Sequence, residues 1–124
     1  MSEYIATENM TFKFDNPAHS GTVTIITTAS IKVKADGNAV HKDLMAVSIT
    51  GGSDGSITNA TGAGVINATS TKVKADNVLV LRKDDKNNIP IVMTGTNPAP
   101  PPPTSIYTTV VVIDDPGNTK VKAE

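Results

Sequence analysis

The chain has 124 residues, is 38% hydrophobic and only 3% aromatic, and carries a net charge of −1. That balance excludes an electrostatic case for nucleic acid, because the lysines are interleaved with aspartates rather than massed. Cysteine is absent, which excludes a disulfide framework, a thiolate metal cluster and a thiol nucleophile.

The length predicts one domain, 1–124, with a modest core. With only Tyr4, Phe12, Phe14 and Tyr107 as aromatics, burial falls to Val, Ile, Ala and Met. The opening MSEYIATENM has neither a basic region nor an apolar run, so no signal peptide is expected. No apolar run is long enough to span a membrane as a helix.

In chain order, GTVTIITTAS (21–30) is β-branched and predicts a strand. SIKVKAD (30–36) alternates apolar residues with lysine, so one face is apolar and the other charged. Asp36-Gly37 then gives a hairpin turn. TGGSDGSITNATGAG (50–64) reads as a Gly/Ser/Thr/Asn loop. TKVKAD (71–76) repeats the lysine alternation and runs into Asp76-Asn77, two residues that tolerate left-handed backbone. VLVLR (78–82) predicts a buried strand, and KDDKNNIP (83–90) a polar break. NPAPPPPT (97–104) predicts a stiff extended spacer. TTVVVI (108–113) is a further buried strand, and TKVKAE (119–124) closes the chain. No window carries a helical stripe.

Three segments align: ITTASIKVKAD (26–36), INATSTKVKAD (66–76) and IDDPGNTKVKAE (113–124). Each passes from Ile through a short polar turn into K-V-K-A-acid. Lys72 follows Lys32 by 40 residues, and Lys120 follows Lys72 by 48; the extra length is roughly the proline segment. The chain therefore reads as three copies of one hairpin-like unit, at about 17–43, 58–85 and 105–124. Three equivalent units predict an all-β fold around a pseudo-threefold axis, Val and Ile inward and Lys outward, with the three K-V-K-A strands related by rotations of about 120°.

Catalytic signals are weak. Asp84-Asp85 and Asp114-Asp115 are adjacent, so in a strand they point to opposite faces and suit turn capping better than paired acid–base work. No nucleophile–base–orienter set is visible. TGGSDGS lacks the lysine and helix of a phosphate loop. No enzymatic activity is expected.

The repeat resembles that of PAAR-like proteins: a turn of small residues, then T-x-V-x-x-(D/N)-(G/N)-x-x-V-x-(R/K). TASIKVKADGNAVHKD (28–43) and ATSTKVKADNVLVLRKDD (68–85) fit it, with Arg82, Asp84 and Asp85 near the family's Arg and Asp. PGNTKVKAE (116–124) fits the final strand, and PAHSGTVTI (17–25) the His-then-Gly stretch before the first repeat. The resemblance covers about 17–124 and implies a small cone of β-hairpins on a pseudo-threefold axis. Such proteins cap a homotrimeric β-helical spike, one copy per trimer, in type VI secretion systems, phage tails and related injection particles. The implied partners are that spike, an effector cargo and the target membrane. The implied route is synthesis in a bacterial cytoplasm, incorporation into the particle and delivery outside.

Typical members bind a metal, such as zinc or iron, near the apex through three His and one Cys. This chain lacks the Pro-Ala-Ala-Arg string and has only His19 and His41, with no Cys, so the ligand set is incomplete and no cofactor is expected. An apex closed by hairpin turns and Thr/Ser hydrogen bonds is expected instead. The spike-facing base is expected to be apolar, from residues such as Val78, Val80, Val110 and Val112. The competing reading is a small β binding module or adhesin that recognises glycan or protein through its loops.

Overall fold

The computed structural model describes residues 3–30, 32–96 and 104–123. Its described residues form strands and turns, with no helix. Five strands make one antiparallel sheet in the order β11 (Thr104–Thr109), β10 (Ile91–Thr96), β7 (Thr58–Ile66), β6 (Met45–Ser53), β3 (Ser20–Ile25). β12 (Val111–Asp115) continues the path of β11 past Val110 and pairs with β2 (Thr11–Phe14). The remaining strands are two-residue pieces: β4 (Lys34–Ala35) with β5 (Asn38–Ala39), β8 (Lys74–Ala75) with β9 (Val78–Leu79), and β13 (Lys122–Ala123) with β1 (Glu3–Tyr4).

Both expected hairpin turns form with left-handed backbone at both central residues. The φ values are 53° and 79° at Asp36 and Gly37, and 52° and 67° at Asp76 and Asn77. That is the primed turn whose twist matches the flanking strands.

The expected loop at 50–64 is instead most of two strands. The turn is confined to Asp54–Ile57, where the Asp54 carboxylate accepts the Ser56 and Ile57 amides at 2.9 and 2.7 Å. The small residues that suggest a loop are there for packing. A Cβ at Gly64 would lie 2.4 Å from Ile91 Cγ1, and one at Gly62 would lie 2.6 Å from Met93 Sδ. Small residues on β7 let the side chains of β10 lie across it.

Two apolar cores result. The larger one gathers Met45, Val47, Ile49, Ile66, Leu81, Ile91, Met93, Val111 and Ile113 inside the strands, with Phe12, Phe14, Val23, Ile25 and Tyr107 against it. The smaller one gathers Ile5, Ala35, Val40, Ala75, Val80 and Ala123, with Val33 and Val73 beside them. The second core draws on all three repeats. Asn87 ties the 86–89 turn to the large core: its side chain accepts the Val111 amide at 2.8 Å and donates to the Ile89 carbonyl at 2.8 Å. The proline-rich spacer, apart from Thr104, lies outside the described residues, as do Ile31 and Glu124 at the ends of two hexads.

Candidate functional site

The hairpin end is where the repeats meet. In the first two copies, Lys34 pairs with Ala39 and Lys74 with Leu79, across the Asp-Gly and Asp-Asn turns. The third copy finds its partner strand at the other end of the described residues. Lys122 pairs instead with Tyr4 and Ala123 with Glu3, so the N-terminal strand takes the return position. Ile5 thereby occupies the place held by Val40 and Val80, and all three are buried.

The following residues link the copies in a ring. The Ala6 amide donates to the Leu81 carbonyl at 2.8 Å, Leu81 to His41 at 3.0 Å, and His41 back to Ala6 at 3.1 Å. A second set runs the opposite way round: Glu8 donates to Ala39, Asp43 to Leu79 and Lys83 to Tyr4, each at 2.8 Å. Main-chain groups beside an apolar plug are thus satisfied by neighbouring copies, where an unpaired group would be costly.

Each copy is entered through a buried polar side chain. Ser30 donates its amide to the Val40 carbonyl, and its hydroxyl accepts the Lys32 and Val33 amides. The Ser70 hydroxyl donates to the Val80 carbonyl at 2.6 Å. Asn118 does both jobs: its Nδ2 donates to Ile5 and Val121 carbonyls, and its Oδ1 accepts the Lys120 and Val121 amides. The repeat lysines Lys32, Lys34, Lys72, Lys74, Lys120 and Lys122 are exposed, as the alternation predicts. Lys120 lies 3.4 Å from Asp36 and Lys42 3.2 Å from Asp76, so ion pairs also join neighbouring copies. The Ser30 hydroxyl and then Lys42 hold the Asp76 carboxyl below its usual range.

Arg82 anchors the second copy to the third, donating to the Ala123 carbonyl at 3.0 Å and to Thr69 Oγ1 at 2.8 Å. Thr69 in turn donates to Asp85, which also accepts the Arg82 amide at 2.8 Å. Burial pushes the Asp85 carboxyl up, opposed by these donors. Asp85 therefore caps a turn, as does Asp115, which accepts the Gly117 amide.

The structure separates the two histidines. His41 is buried in the hydrogen-bonded ring with Ala6 and Leu81. His19 sits among the strand ends of the larger core, bonded to Thr109 Oγ1 at 2.8 Å and tilted against the Tyr107 ring at 5.0 Å. Among the described residues no group of three or more His, Cys, Asp or Glu could hold a metal ion. The residues present do not fit the metal site that the resemblance implies.

The four valines expected at a docking base do not share a surface. Val80 and Val112 are buried, in the smaller core and on β12 respectively, because each faces the interior of its strand pair. Val110 is half-buried at the break between β11 and β12, and Val78 is partly exposed beside the Asp76-Asn77 turn. Val80 is held inside by Ile5, Val40 and the three alanines, whereas Val112 lies on β12, outside that cluster.

No family model, no curated protein and no solved structure matches this chain.

His41 gives the site a pH dependence. Burial is the main influence and holds its imidazole below the usual value; Glu8 opposes this and Lys42 adds to it. Below about pH 6.5 the unfolded chain takes up this proton before the folded one does. Stability is therefore present above that pH and falls as the pH drops toward the folded pKa. His41→Leu, which copies Leu81 at the equivalent position, should remove this loss. Thermal melts between pH 7 and 5 should show the variant gaining on the wild type as the pH falls. A variant that keeps the wild-type slope would assign the effect elsewhere.

Proposed function

We propose that this chain is the conical tip of a trimeric β-helical spike in a contractile injection machine, with its three repeats arranged around a pseudo-threefold axis. The observation that carries this reading is the closed ring of main-chain hydrogen bonds through Ala6, Leu81 and His41, in which each copy donates to one neighbour and accepts from the other. One chain supplying three similar units matches a threefold partner without itself forming a trimer. The narrow end is the hairpin end, closed by Ile5, Val40, Val80 and three alanines. Long strands such as β6 and β7, of nine residues each, lead away from it toward the wider, spike-facing end. The tip is structural, with no catalytic role, and pierces a target membrane ahead of any cargo.

A second reading, a binding module for glycan or protein, is favoured by one feature: the five strands of the large sheet contain no charged residue. Stoichiometry separates the two. Native mass spectrometry of the chain with a trimeric β-helical spike protein should give one copy per spike trimer. A homotrimer of this chain, or no association with the spike, would count against the tip.

A further inference from the structure

Each repeat stands on a pair of antiparallel strands: β3 with β6, β7 with β10, and β12 with β2. Two of the three junctions between these stems are also paired, β6 with β7, and β10 with β11, the strand that runs on into β12. The third is not. Among the described residues β3 is an edge of its sheet, and β2 pairs only with β12. Between them lies a groove of about 420 Å³ lined by Met10, Phe12, Phe14, Gly21, Val23 and Ile25, with Thr11 and Thr24 also on its wall.

The ladder pattern fixes which main-chain groups face this groove. Ile26 donates to Ala46 of the β6 side, so alternation turns Thr24 to β6 and Val23 and Ile25 to the open edge. On the other side, Asp15 donates to Val110, and Ile113 exchanges its hydrogen bonds with Asp84 and Asp85 rather than with Phe12. Lys13 therefore turns to β12, and Phe12 and Phe14 turn to the groove. Both flanks thus offer main-chain donors and acceptors above a floor made by the only two phenylalanines of the chain. The edge β3 carries none of the charges or prolines that usually protect an exposed strand. The one charge on β2, Lys13, lies 3.7 Å from Asp114 of the neighbouring strand.

We propose that the groove between β2 and β3 receives an extended segment of a partner protein, apolar at alternate positions, which pairs with both strand edges and closes the third junction. Only an extended backbone satisfies two facing strand edges at once, and the aromatic floor selects apolar side chains on its inward face. The inference does not depend on the tip reading, since any partner with such a segment would serve.

The test uses the full chain and a capped peptide of alternating valine and threonine with lysine at each end. Saturable binding is expected. At a peptide concentration ten times its Kd, amide exchange at Phe12, Phe14, Val23 and Ile25 should slow about tenfold, with Lys13 and Thr24 little changed. Val23→Pro removes one groove-facing donor and should weaken binding tenfold or more while circular dichroism stays unchanged. A peptide N-methylated at every second residue, which can pair with one edge only, should lose as much and does not depend on that variant folding. No saturable binding, protection away from these four amides, equal binding of the methylated peptide, or dimerisation of the chain through this groove would each overturn the proposal.

Discussion

Val80→Asp is expected to unfold the hairpin end rather than leave a folded protein with an altered surface. Val80 is 0% exposed and packs with Ile5, Val40 and the three alanines, a cluster too small to rearrange around a carboxylate. Its own amide and carbonyl bond to Val73 and Ser70, so the backbone cannot swing the side chain outward without breaking both. A buried, unpaired charge costs at least about 3 kcal/mol, which is a large share of the stability of a small domain. Val40→Asp should behave alike, because Val40 holds the equivalent place in the first repeat. Val78→Asp is the control: at 37% exposure beside a turn, it should cost less than about 1 kcal/mol. Urea melts would measure all three. A Val80→Asp protein with an unchanged midpoint would show that this residue is not part of the plug.

Asn118→Ala should be nearly as damaging. Asn118 is 2% exposed and its side chain makes four hydrogen bonds, two of them to the carbonyls of Ile5 and Val121, which flank β1 and β13. Alanine leaves the Ile5 and Val121 carbonyls without this partner and removes the acceptor for two amides. At about 1–3 kcal/mol for each buried group left unsatisfied, with some replaced by water, a loss of about 2–4 kcal/mol is expected. Asn118→Ser should recover a good part of it, because Ser30 and Ser70 do similar work in the other two copies. Equal losses for the alanine and serine variants would mean that the three entry positions are not equivalent.

The hairpin end was the most legible part of the sequence. Lysine at every second position placed the exposed face, and Asp-Gly and Asp-Asn placed the turns, because both signals act within a few residues. Three other features were not legible. Residues 50–64 look like a loop by composition, yet Gly62 and Gly64 are small because Ile91 and Met93 lie against them. Val78, Val80, Val110 and Val112 look like one docking base, yet Val80 and Val112 are buried, as their apolar runs predict, while Val78 and Val110 are not. β2 (Thr11–Phe14) is only four residues long, and β10 (Ile91–Thr96) mixes Gly and Thr into its apolar run, so neither announces itself before its partner is known.

From the sequence by itself came the all-β character, the three copies of the hexad, and the outward lysine face of each; the valine face is not buried alike, since Val33 and Val73 are half-buried and Val121 is exposed. These rest on period and turn chemistry, which are properties of neighbouring residues. Only the tertiary structure decided that Glu3–Tyr4 supplies the third return strand, that His19 packs on Tyr107 while His41 joins the ring with Ala6 and Leu81, and that no described strand closes the junction between β2 and β3. Strand pairing joins residues more than a hundred positions apart, and no local pattern records which edge a strand will find.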